Sequence, residues 1–370
     1  MKNSYIRIRK PVKVTVMRNS LSTSIIIAGV ALIAAAGIFG CQRTRVEKEG
    51  EYTYSVQTVW DEGTHAAFTD LVEFGGKYYI TFREGYSHIF DENGKAEGRI
   101  RVLESNDGER WESVLDAGIE GIDCRDPKLS VTPDGRLMVL FGGSLYIDRE
   151  LKGQQGYVMF SSDGKTYSEP EKITLSPDPA NETNWLWRVT WNGDTGYGVS
   201  YGFGPAGRTL ILYQTKDGVS YSEVKSFDFS GFANETTLRF LPGGRMLMMV
   251  RRDGDDRMGF WGYADAPYTD WTVRQMPLQV GGPDFVVLED GAVLAGTRSY
   301  AIGSHCKTII VKGTPEGDFQ EVFTLPSDGD TSYPGMLVVG DELWVSYYTT
   351  AGVPGKAVIR LAKLPLAALR

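Results

Sequence analysis

Three turns of one design recur along the chain, and their spacing constrains the fold more than any other feature. "SNDGERW" (105–111), "SSDGKTY" (161–167) and "TKDGVSY" (215–221) each carry a polar start, Asp-Gly, and an aromatic residue three places after the glycine. Their aspartates, Asp107, Asp163 and Asp217, lie 56 and 54 residues apart. In such a turn the carboxylate accepts backbone N–H groups, the glycine takes a positive φ and the aromatic packs inward. "DAPYTDW" (265–271) and "GTPEGDF" (313–319) look like worn copies.

Six hairpins alternate with these turns: "TDLVEFGGKYYITFREG" (69–85), "RDPKLSVTPDGRLMVLFGG" (125–143), "WRVTWNGDTGYGVSYG" (187–202), "NETTLRFLPGGRMLMMVRR" (234–252), "PDFVVLEDGAVLAGTRSY" (283–300) and "SYPGMLVVGDELWVSYYT" (332–349). Each is a strand, a Gly- or Asp-containing turn and a strand. Four strands per unit at a period of about 50 residues predict an all-β fold, a six-bladed β-propeller over residues 54–366. Closure is legible too. "KAVIRLAKL" (356–364) supplies the third strand of the last blade, and "YTYSVQTVW" (52–60) its fourth from the other end of the chain. The 44 Gly, 19 Tyr and 16 Phe suit strands joined by tight turns, and no linker divides the repeats.

The N-terminus is separate. Residues 1–41 hold Lys2, Arg7, Arg9, Lys10, Lys13 and Arg18, no acid, and the apolar run "SIIIAGVALIAAAGIFGC". A basic start, an apolar stretch and small residues before a cysteine predict an export signal. "IFGC" resembles a bacterial lipobox, with Cys41 as the lipidated residue and residues 42–53 as a short tether. The competing reading of the apolar run is a true membrane span. The whole chain carries a net charge of −8, and losing the basic start would make it more acidic. That excludes nucleic acid as a natural partner and leaves the lipid anchor as the contact with a membrane. A monomer without cofactor or metal is expected, since no His/Cys/Asp cluster has ligand spacing. Cys124 and Cys306 remain after Cys41, with nothing in their spacing to pair them.

In a propeller the first strand of each blade lines the central channel. The hairpins open with Asp70, Asp126, Arg188, Glu235, Asp284 and Tyr333 at one mouth. The far ends of the second strands bring Arg83 with Glu84, Arg251 with Arg252, Arg298, and Tyr347 with Tyr348. His65, His88 and His305 fall in loops on the same side. A ring of ionisable groups at a channel mouth is costly without a ligand, so a binding site is expected there.

These turns, with "NETTLRFLPGGRMLMMVRR" and "SYPGM", resemble the bacterial sialidase superfamily over roughly residues 54–366. The resemblance implies a glycoside hydrolase in which Glu235 partners a nucleophilic Tyr333, while Arg251 and Arg298 grip a substrate carboxylate. It does not extend to the family's Arg-bearing motif near the start, where "AAFTDLV" (66–72) has neither Arg nor Pro. The implied activity is a retaining exo-glycosidase on an acidic or complex-glycan sugar, with Asp70 or Asp126 as acid. Arg83, Arg188, His88 and Asp284 are further candidate contacts. Two alternatives stand beside it. A polysaccharide lyase or His-dependent propeller glycosidase would use His65 or His88 with Tyr333. A non-catalytic glycan-binding lipoprotein would stack sugars on Trp185 and Trp187.

Overall fold

The structure, a computed structural model, describes residues 43–49, 51–178, 183–204, 207–300, 305–350, 352 and 355–369. The expected export signal, with its apolar run and Cys41, lies outside these residues. Among the described residues no helix is long and apolar enough to cross a membrane.

The described chain is nearly all β, in a propeller arrangement, with one short 3-10 turn at Leu366–Leu369. Three sheets have the expected four strands in meander order, beginning with His65–Phe74, Ala233–Phe240 and Asp284–Val287. Six separate sheets do not appear, because the second and third hairpins share one nine-stranded sheet. A single parallel pairing, Thr183 with Gln154, joins their halves. The last sheet has five strands. Tyr52–Trp60 pairs with Val358–Pro365, which closes the ring from both chain ends. Residues 43–49, expected within a tether, instead form the outer strand Arg43–Glu49 against Tyr52–Trp60. Pairing there occupies the edge of the closing strand.

The repeated turns behave as the sequence requires. The N–H groups of Glu109 and Arg110 both donate to Asp107 Oδ1 at 2.9 Å, and Gly108 N–H donates to Ser105 Oγ at 2.8 Å. Asp163 and Asp217 accept the same two N–H groups in their own turns. These bonds hold the Asp107 carboxyl at about 2. The first two turns also pack on the neighbouring sheet. A Cβ on Gly108 would meet the Trp344 ring at 2.2 Å, and one on Gly164 the Tyr79 hydroxyl at 2.1 Å. The two worn copies lack this pattern: Asp265 turns to Arg245, and Thr314 Oγ1 donates to the Gly317 carbonyl. Cys124 and Cys306 are both free thiols, with Cys124 buried.

Candidate functional site

In five of the six hairpins read from the sequence, the first strand slips register near its start. The shifts fall at Ala67/Asp70, Arg125/Lys128, Leu186/Val189, Ala233/Thr236 and Ser332/Gly335. A bulge of this kind re-aims side chains, here around the channel axis. Phe68, Asp126 and Tyr333 occupy matching bulge positions with φ of 64°, 49° and 51°. Bulky residues in the left-handed region are strained, and strain of this kind gathers at functional sites.

Tyr333 and Glu235 meet at this level. The Tyr333 hydroxyl donates to Glu235 Oε1 at 2.6 Å. Arg251 Nη1 donates to both, at 2.8 Å each. The other carboxylate oxygen accepts Gly282 N–H at 2.9 Å. Burial and the Glu235 charge push the Tyr333 phenol well above its usual value, against the pull of Arg251. The resting group is a neutral phenol with an acceptor already in place.

Asp126 lies close enough to Glu235 and His88 for their charges to interact. It is buried, its Oδ1 has no hydrogen-bond partner, and burial raises its carboxyl above the usual range despite Arg125 and Lys128. Lys128 is buried too, 4.5 Å from the centre of the Trp187 ring. Burial and Arg188 bring it down to about 8.

On the other side of Tyr333 stands a second cluster. Arg298 Nη2 donates to Asp330 Oδ1 at 3.0 Å and to the Tyr348 hydroxyl at 2.8 Å, and Tyr348 donates to Asp330 Oδ1 at 2.6 Å. His88 Nδ1 lies 2.9 Å from Asp330 Oδ2. Arg125 Nη2 lies 3.4 Å from the other ring nitrogen of His88, and a guanidinium only donates, so Nδ1 carries the proton toward Asp330. Burial pushes the Asp330 carboxyl up, but the His88 bond and the Arg298 charge outweigh it and hold it well below the usual range. The Phe68 ring joins the two clusters, 4.9 Å from Tyr333, 5.3 Å from His88 and 5.4 Å from Tyr348.

No protein-family model matches the chain, and no curated protein does. Solved structures do resemble it. A protein of unknown function from Dyadobacter fermentans superimposes with a TM-score of 0.69 at 18% identity, over 82% of this chain and 96% of that one. Trypanosoma rangeli sialidase gives 0.62 at 13% identity, over 81% of this chain and 55% of the sialidase. The α-L-arabinofuranosidase of Fusarium graminearum gives 0.60 at 14%, over 82% and 94%. The fold is that of a sialidase-like propeller. The matched part covers little more than half of the trypanosomal enzyme.

Within this propeller the expected ring of ionisable residues divides into two layers. Tyr333, Glu235, Arg251, Arg298, Asp126 and His88 stand together at the upper level. Asp70, Arg188 and Asp284 lie beside the axis as a buried network. Arg188 Nη1 donates to both oxygens of Asp70 at 2.8 Å, and its Nη2 lies 3.5 Å from Asp284 Oδ2. Asp70 Oδ2 also accepts Leu129 N–H, and Asp284 Oδ2 accepts Met336 N–H, so each aspartate ties its own sheet to the next. With both oxygens engaged and only 1% exposure, Asp70 is not placed to act as the acid, nor Asp284 as a substrate contact. Arg83 is likewise occupied: Nε and Nη2 donate to Asp123 Oδ1 and Nη1 to the Ser87 carbonyl. Arg252 donates to the backbone carbonyls of Ser230 and Met258.

Trp185 and Trp187 are both buried, so neither offers an open face to a sugar. Trp187 packs edge-on to Tyr333 at 5.6 Å instead. Tyr86, Phe203 and Phe232 are exposed aromatics among the described residues. Sequence reasoning missed Phe68, Lys128, Gly282, Asp253 and Asp330. A Gly-Gly-Pro-Asp run before the short strand was the available signal for Gly282; the others look like ordinary strand or loop residues. His65, His88 and Asp330 bring ligand-capable atoms within 4.8 Å of one another, the group that could hold a metal ion. His305 lies apart, paired with Asp328 at 3.1 Å.

Proposed function

We propose that the protein is an exported glycan-active hydrolase in which Tyr333 is the nucleophile and Glu235 its base. The observation that carries this reading is the 2.6 Å hydrogen bond between the Tyr333 hydroxyl and Glu235 Oε1, under Arg251. A phenol at neutral pH is a weak nucleophile until a neighbour takes its proton. As Tyr333 Oη bonds to the anomeric carbon, its proton passes to Glu235 and the glycosidic bond breaks. Asp126 protonates the leaving oxygen, a role that suits a buried carboxyl with an unpartnered oxygen and a raised pKa. Water then cleaves the tyrosyl–sugar bond by the reverse route, with retention of configuration.

The likeness to a sialidase and an arabinofuranosidase supports a glycan substrate. We read the nine-stranded sheet as two blades, which gives six in all, and the protein as a monomer tethered through Cys41. Replacing Cys41 with Ser is expected to release it from membranes. Hydrolysis is tested by digesting a glycan library with the protein and with its Tyr333→Phe variant, reading products by mass spectrometry. A covalent sugar adduct on Tyr333 and loss of products in the variant support the reading. Undiminished turnover by Tyr333→Phe would sink it.

The His88–Asp330 pair favours a second reading, a His-dependent lyase or glycosidase. A lyase leaves an unsaturated product that absorbs in the ultraviolet, which separates the two in the same digestion.

A further inference from the structure

From the way every cation around Tyr333 is already engaged, we infer that the site takes an uncharged sugar rather than a sialic acid or a uronate. This inference rests on the glycan reading above and names its substrate class. Recognition of a sugar carboxylate requires a guanidinium with a free bidentate face and a positive surplus in the pocket. Arg251 has no such face. Its Nε and Nη2 both donate to Asp253 Oδ1, at 3.1 and 2.9 Å, and its Nη1 is shared between Glu235 and Tyr333. Arg298 spends Nε on the Thr331 carbonyl at 2.7 Å and Nη2 on Asp330 and Tyr348. Only its Nη1 stands outside these bonds, and a single N–H suits a hydroxyl oxygen better than a carboxylate.

The remaining cations are no freer. Arg125 Nη1 is held by Asp123 and by the His88 carbonyl, at 3.0 Å each. Lys128 is 2% exposed, with Nζ against the Thr69 and Pro127 carbonyls at 3.3 Å. Beside the tyrosine, then, the charges of Arg251 and Arg298 meet those of Glu235, Asp253 and Asp330, so neither arginine keeps an unanswered charge for a carboxylate. The side chains of Asp253 and Asp330 are also 42% and 30% exposed. An incoming carboxylate would approach these acids first, and like charges in a partly dry site repel. A neutral ring needs only hydrogen bonds there, and the partly exposed acids accept from sugar hydroxyls.

The test measures binding separately from turnover. Saturation-transfer NMR on the full chain would compare L-arabinose, L-fucose, D-galactose and N-acetylgalactosamine with N-acetylneuraminic acid and D-galacturonic acid. At least one neutral sugar is expected to bind tenfold or more tightly than either acid. The Asp253→Asn/Asp330→Asn double variant removes two of the neutralising carboxylates. With its melting temperature checked, it is expected to bind N-acetylneuraminic acid at least tenfold more tightly than the wild type does. An acid bound by the wild type as tightly as the best neutral sugar overturns the inference. So does binding of no sugar, or a folded double variant with no gain for the acids. Chromogenic glycosides of the same sugars then separate the two readings. Neutral-sugar binding without hydrolysis removes the hydrolase and leaves the substrate class, whereas hydrolysis of a sialoside or uronide does the reverse.

Discussion

The Tyr333 hydroxyl and the Glu235 carboxylate lie 98 residues apart in the chain and meet at 2.6 Å. They come from inner strands of different sheets, and each sits at a register slip. Replacing Glu235 with Gln keeps the shape and removes the base. Turnover is expected to fall by roughly two orders of magnitude or more, on the scale of acid–base groups. The melting temperature should stay within a few degrees, because Arg251 keeps Asp253. Turnover and melting temperature on one preparation check this; a large loss of stability with unchanged activity per folded molecule would show the pair to be structural only.

Arg251→Lys retains the charge and loses the fork that spans Glu235, Tyr333 and Asp253. Lysine cannot replace a planar set of donors at such a site. Turnover is expected to drop at least tenfold while the protein stays folded. Arg251→Met goes further and leaves Glu235 as a buried, uncompensated charge. It should cost on the order of 3 kcal/mol, measured by urea denaturation.

Gly282 has two reasons to be glycine. Its φ is +59°, and a Cβ there would come within 2.6 Å of the Tyr333 ring. Its N–H also orients Glu235. Gly282→Ala is therefore expected to destabilise by roughly 2–4 kcal/mol, combining left-handed strain with overpacking, and to lower turnover as Tyr333 shifts. Denaturant midpoints and turnover of this variant, set beside Gly340→Ala, whose site has open space, give the comparison.

The axial layer should respond differently from the upper one. Asp70→Ala takes from Arg188, which is 4% exposed, its two 2.8 Å bonds and leaves it only the 3.5 Å contact with Asp284. A loss of about 3 kcal/mol is expected, since a buried charge loses its closest partner. Activity per folded molecule should change little. A stable Asp70→Ala protein with abolished turnover would place Asp70 in the chemistry after all.

His65 gives a pH signature. Burial, with His88 and Arg83 nearby and Asp330 opposing, brings its imidazole down to about 4 from 6.5. Between those values the unfolded chain binds a proton that the folded chain does not, so stability falls as pH falls from about 6.5 toward 4. The slope from this group approaches about 1.4 kcal/mol per pH unit inside that window. Above it both states are neutral and the group contributes no slope. His65→Gln should show a shallower loss over the same range, measured by urea denaturation at pH 7, 6 and 5. Identical slopes in the two proteins would remove His65 as the cause.

The sequence by itself determined the repeat, the strand content and the ring closure. Asp107, Asp163 and Asp217 build their turns from atoms within a few residues, so the pattern survives without knowledge of the rest. The pairing of Tyr333 with Glu235 was also legible, because both open hairpins and the channel brings hairpin openings together. What only the tertiary structure decided is which ionisable residues share a level and which are already occupied. A bulge shifts a strand by one residue and turns a side chain to a new direction, and nothing local to Asp70 or Asp126 announces it. So Asp70 went to Arg188 in the axial network while Asp126 stayed beside Glu235. The same holds for Arg251 and Arg298. Their place at the mouth follows from strand order, but whether their forks face a ligand depends on Asp253 and Asp330, loop acids whose positions are fixed only when the sheets pack.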